Sequence, residues 1–93
     1  MDGVKLIMQE RYRQIVSEGF NQEHDDEHAH GELSKAAVAY VLFNSPSQAD
    51  KAESFWPWEK YWWKPDNKDA VRNLVKAGAL IAAEIDRLQR MKG

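Results

Sequence analysis

Apolar residues return at helical spacing in three stretches of the chain. Between residues 4 and 18, Val4, Ile7, Met8, Tyr12, Ile15 and Val16 fall on intervals that gather side chains onto one face of a helix, and Gly19 supplies a stop. From about His28 to Phe43 the repeat runs through Leu33, Ala36, Ala37, Tyr40, Val41 and Phe43, with Glu32 and Lys35 spaced as a charge pair, until Asn44-Ser45-Pro46 breaks it. Residues 67 to 91 are the most regular. Val71, Leu74, Gly78, Ile81, Ile85 and Leu88 are spaced three, four, three, four, three, the seam of a coiled coil. Val75, Ala79 and Ala82 widen that seam, and Leu80 and Ala83 carry apolar character further round. A helix apolar on more than one side is central to a core or shared with a neighbour, and Ala77-Gly78-Ala79 admits a second backbone at close range.

Residues 44 to 66 have no clean period and hold all three prolines and all four tryptophans. So long a loop in a small domain is pinned or functional. The tryptophans are the natural pins, with Trp56 and Trp62 expected in the core and at least one ring left partly exposed. Asp66, with Asp69 three residues on, is placed to cap the last helix. The chain thus reads as one all-α domain, residues 1–93. It has three main helices, about 4–18, 28–43 and 67–91, with the Trp/Pro-rich loop 44–66 packed across them. The last helix is expected to build a helical dimer; a core helix in a monomer is the other use of its seam.

Composition narrows the function. A chain of 93 residues buries only about 60 to 65% of its unfolded surface, which excludes a two-domain enzyme. The net charge of −2 provides no general basic field for DNA, so general DNA binding is not expected. Charge is divided along the chain, nine acids against four bases in residues 1–50 and six against nine in residues 51–93, so the halves attract. There is no cysteine, hence no thiolate metal site and no cysteine nucleophile. No apolar run approaches the roughly 20 residues that span a bilayer, and the N-terminus reaches charge too soon for a secretory signal. These features lead to the expectation of a cytoplasmic protein without a membrane partner.

Two segments carry candidate chemistry. All three histidines fall in Glu23-His24-Asp25-Asp26-Glu27-His28-Ala29-His30-Gly31-Glu32. On a helix, His24, His28 and Glu32 share one face, and with Asp25 and Asp26 they offer the ligand types of a divalent transition metal. The spacing is not H-E-x-x-H, and an HD-type phosphohydrolase needs further His ligands that this chain lacks. The same residues also suit a solvated acidic turn, with Asp25 or Asp26 as N-cap. Glu10, Glu84 and Asp86 lie on the first and last predicted helices, where packing can add a carboxylate. The paired E-x-x-E and E-x-x-D motifs of all-α nucleotide pyrophosphohydrolases are missing. In the second segment, Phe55 to Pro65, aromatic rings alternate with cations. Trp58, Lys60, Tyr61, Trp63 and Lys64 are the candidates for stacking a base, meeting phosphate or anchoring a protein partner.

Several motifs occur together in order: Glu10-Arg11-Tyr12-Arg13-Gln14, Glu23-His24-Asp25-Asp26, Gly31-Glu32-Leu33 with Ala36-Ala37, Trp56-Pro57-Trp58, Trp63-Lys64-Pro65 and Leu74-Val75-Lys76-Ala77-Gly78-Ala79-Leu80-Ile81. In these the chain resembles a family of small uncharacterised proteins encoded by tailed bacteriophages and bacterial prophages. It departs from them at Phe20-Asn21, where the family pattern would have Trp-Thr. The resemblance implies a phage accessory protein acting in the bacterial cytoplasm and brings no activity with it. The leading expectation is a non-enzymatic, homo-oligomeric binding protein that engages a host protein or a small nucleotide. The alternative is a metal-dependent nucleotide or phosphoester hydrolase built on the acidic His segment.

Overall fold

The computed structural model describes residues 1–92, and among these every regular element is helical. Helix α1 spans Gly3–Glu18, α2 Gln22–Asp26, α3 Glu32–Phe43, α4 Ala49–Ala52 and α5 Ala70–Lys92. Single 3-10 turns at Glu53–Phe55 and Lys60–Trp62 shape the aromatic loop. No helix among the described residues is long and apolar enough to cross a membrane.

Local chemistry sets the helix ends. The Asp2 carboxylate accepts the Lys5 N–H and starts α1, and Gly19 stops it at φ +74°, where its N–H reaches the Gln14 carbonyl. The second expected helix, 28–43, is shorter. The Asn21 side chain caps a separate α2 by accepting the His24 N–H, and Gly31, at φ +85°, turns the chain before α3 begins at Glu32. Asp25 and Asp26 therefore lie inside α2 rather than capping a helix. The last helix begins three residues later than its periodicity suggests. Asp66 accepts the N–H groups of Lys68 and Asp69 in a preceding turn, and the cap itself falls to Asp69, which accepts the Arg72 N–H at 3.1 Å. Buried Asn73 ties this corner together: its amide donates to Asn44 and to the Asp66 carbonyl and accepts the Asp66 N–H.

The core lies between α3 and α5. Leu33, Ala36, Ala37 and Tyr40 meet Ala77, Leu80 and Ala83, and Phe20, Trp56, Trp58 and Trp63 pack over that contact. Ala39 and Ala52 are fully buried where α4 lies on α3. On another side of α5, α1 crosses with Ile7 seated over Gly78. The close approach expected at Ala77-Gly78-Ala79 is thus made within the chain.

The seam of α5 does not face this core. Val71, Leu74, Ile81, Ile85 and Leu88 are 44 to 57% exposed, while Val75, Ala77, Ala79, Leu80 and Ala83 point inward. Within the single chain α5 is a core helix through its alanine-rich side and not through the seam, because alanines let α3 and α5 approach until only that side fits between them. Attraction between the halves of the chain takes specific form in the Arg72–Glu10 and Arg90–Asp26 ion pairs.

A side chain added at Gly78 meets Ile7 at once, since a Cβ there lies 2.6 Å from its Cδ1. Gly78→Leu should therefore destabilise the fold by about 1–3 kcal/mol in denaturant unfolding, and adding Ile7→Ala should recover part of the loss.

Candidate functional site

The acidic His segment is split by the fold. Asp25 is fully buried, accepting a hydrogen bond from Arg11 Nη2 at 3.0 Å on one oxygen, with His24 Nδ1 at 3.0 Å from the other. Arg11 also donates to the Phe20 carbonyl and so locks α1, the turn at Phe20 and α2 together. Asp26 points the other way, to Arg90 at the far end of α5. Because Gly31 interrupts the helix, His24, His28 and Glu32 do not share a helical face. His24 and His28 nevertheless meet edge to face at 4.7 Å, and His28 Nδ1 lies 3.6 Å from Glu32. His30 is exposed, its N–H donated to Glu32. Among the described residues no group of three or more His, Asp or Glu side chains is arranged to hold a metal ion. The five candidate ligands His24, Asp25, Asp26, His28 and Glu32 are engaged mainly by arginines and aromatic rings.

The two histidines serve a different feature. His24 stacks on Phe20 at 4.3 Å with the rings 7° from parallel, and Trp58 closes against both histidines. Trp58 Nε1–H lies 3.4 Å from His28 Nδ1, the same ring nitrogen that faces the Glu32 carboxylate at 3.6 Å. These rings form one wall of a cleft of about 720 Å³, whose other walls include Tyr40, Trp56 and Leu80. That volume is within the range of about 300–1,000 Å³ typical of small-ligand sites. The loop holds its shape because Trp56 Nε1–H donates to the Glu59 carbonyl and Trp63 packs on Tyr40, Phe43 and Trp56.

Of the five aromatic-loop candidates, Trp58 and Lys60 line the cleft. Trp63 is turned into the packing beneath it, Tyr61 is exposed outside it, and Lys64 lies over the Trp62 ring with its carbonyl taken by Lys76. Trp62, expected in the core, is 47% exposed at the rim, and Trp63 takes the inner place because the 3-10 turn at Lys60–Trp62 reverses which ring faces inward.

The cleft also contains polar groups that the apolar pattern conceals. Glu10 is buried on its floor. Its Oε1 accepts from Arg13 Nε at 2.8 Å and from Arg72 Nη2 at 2.7 Å; its Oε2 accepts from Arg13 Nη2 and Gln14 Nε2. Burial opposes the charge, but the hydrogen bonds from Arg13 and Arg72 outweigh it and hold the carboxyl below its ordinary range. Gln14 Oε1 is buried without a partner among the described residues. Lys76, from α5, donates to the Lys64 carbonyl at 2.8 Å, lies 5.5 Å over the Tyr40 ring and forms no ion pair among the described residues. Desolvation, with Arg72 nearby, pushes its ammonium toward the neutral form, and burial raises the Tyr40 phenol. The signal for Glu10 and Gln14 in the sequence is their register with Ile7, three and four residues apart on one side of α1.

No family model, curated protein or solved structure matches the chain.

Two measurements check these ion pairs. Asp25→Ala leaves the partly buried Arg11 with only its longer contact to Asp86, at 3.9 Å, and should destabilise the protein by about 3 kcal/mol in denaturant unfolding. For Glu10 the lowered carboxyl means that its contribution is complete above the ordinary value of 4.5 and is lost as pH falls through the lower folded value. Glu10→Gln should therefore cost about 1–3 kcal/mol at neutral pH, discounted for the partial exposure of both arginines, and the gap from wild type should close in acid.

Proposed function

We propose that this chain is a self-associating, non-enzymatic binding protein of phage origin that takes a small nucleotide in the aromatic cleft. The phage assignment is supported by the ordered motifs from Glu10 to Ile81. The ligand class is supported by one observation: rings of Phe20, His24, His28, Tyr40, Trp56 and Trp58 surround a space lined also by Lys76, whose ammonium forms no ion pair among the described residues. A planar base stacks on indole and imidazole faces, and a phosphate answers the cation. Glu10 does not repel that phosphate strongly, because Arg13 and Arg72 neutralise it. Lys60, exposed on the cleft lining and paired with Glu53 at 3.4 Å, adds a second cation.

Equal-sized anions without a ring lack the stacking surface, and nucleosides lack the charge. Adenosine and guanosine mono- and diphosphates are accordingly the first ligands to titrate. Quenching of tryptophan emission by nucleotide should be saturable. Trp58→Ala should weaken binding of nucleotide and nucleoside alike by about 1–3 kcal/mol. Lys76→Met should weaken the nucleotide by roughly 1.5–3 kcal/mol and leave the nucleoside nearly unaffected, the selectivity of a charge-assisted hydrogen bond. No quenching at millimolar nucleotide, or turnover of nucleoside triphosphates with added manganese, would count against the binding reading.

A further inference from the structure

The larger apolar side chains of this domain lie mostly outside. Among the described residues, seven of the eleven buried apolar ones are alanines, whereas Leu74, Ile81 and Ile85 of α5 and Val4, Met8 and Tyr12 of α1 are 46 to 78% exposed. The two strips adjoin along the helix crossing. There α1 packs on α5 with Ile7 covering Gly78, midway along the seam.

We infer that this α1–α5 face is covered by a second copy of the chain, in a two-fold interface to which both helices contribute; the inference rests on the self-association in the proposed function and specifies its surface. The alternation of three and four along α5 is what a helix presents to a like helix. A seam of α5 alone is interrupted, because its central position, Gly78, is already filled by Ile7 of the same chain. The flanking apolar surface of α1 bridges that interruption. With Val71 and Leu88 extending the α5 strip, the exposed apolar surface is on the order of the 800 Å² that a stable interface takes from each partner, above the roughly 300–600 Å² of a monomer's largest apolar patch. A two-fold pair places this surface against itself and closes the assembly at two chains.

Sedimentation equilibrium of the full chain should give twice the 10.8 kDa chain mass at micromolar concentration. Ile85→Asp and Met8→Asp, both exposed in the single chain, should each weaken the pair by roughly 30-fold or more while retaining the far-ultraviolet helical signal. Tyr61→Ser, an exposed change on the aromatic loop, should leave the mass unaltered. A wild-type monomer overturns the interface, and that measurement is independent of how any variant folds. Dissociation by Ile85→Asp with no effect of Met8→Asp overturns the composite surface in favour of α5 alone. A monomer that still binds nucleotide leaves the cleft reading standing, and a dimer that binds none leaves the interface standing.

Discussion

Close contact between the alanine sides of α3 and α5 governs where every larger side chain goes. Ala36 and Ala37 meet Ala77 and Ala83 across a narrow space in which Leu33, Tyr40 and Leu80 are the main bulky occupants. Two helices held this close expose little apolar surface to each other, and a core of methyl groups contributes less per residue than one of leucines. The rings of Phe20, Trp56, Trp58 and Trp63 therefore close its open side, which removes them from water and leaves a hollow beneath them. The aliphatic seam of α5 is left on the opposite side. Cleft and apolar face are two results of the same packing choice.

Charge fastens the remaining elements to that pair. Glu10 joins α1 to α5 through Arg72, and Asp25 joins α2 to α1 through Arg11. Burying either carboxylate is unfavourable unless its oxygens are met, and here both oxygens are met in each case. The same ion pairs organise the cleft, since Glu10 forms its floor and Asp25 positions the His24 ring on Phe20. Residues that look like a catalytic or metal-binding set in the sequence thus hold together the walls of the aromatic cleft.

Much of the helical frame is legible without coordinates. The stop at Gly19, the span of α1, the end of α3 at Asn44 and the path of α5 follow from periodicity and punctuation. Misreadings concentrate where two signals compete. Carboxylates and imidazoles before Leu33 continue a plausible helix, but Asn21 and Gly31 offer a better cap and a better turn, so the segment folds back on α1. Trp62 and Trp63 are adjacent and equivalent by composition. Only the 3-10 turn decides which is inside.

The sequence by itself determined the helical class, the long final helix with its heptad seam, and the two segments in which aromatic and ionisable groups are concentrated. Short-range spacing, capping residues and side-chain chemistry are sufficient for those, because each acts within a turn or two of the chain. Tertiary structure alone decided that the seam is outside, that Asp25 and Asp26 point apart, and that Glu10, Gln14 and Lys76 meet His24, His28 and Trp58 around one cleft. These outcomes depend on how closely α3 and α5 approach and on which side of α5 receives α1. The approach distance is set by the bulk of side chains that meet only after the helices have formed.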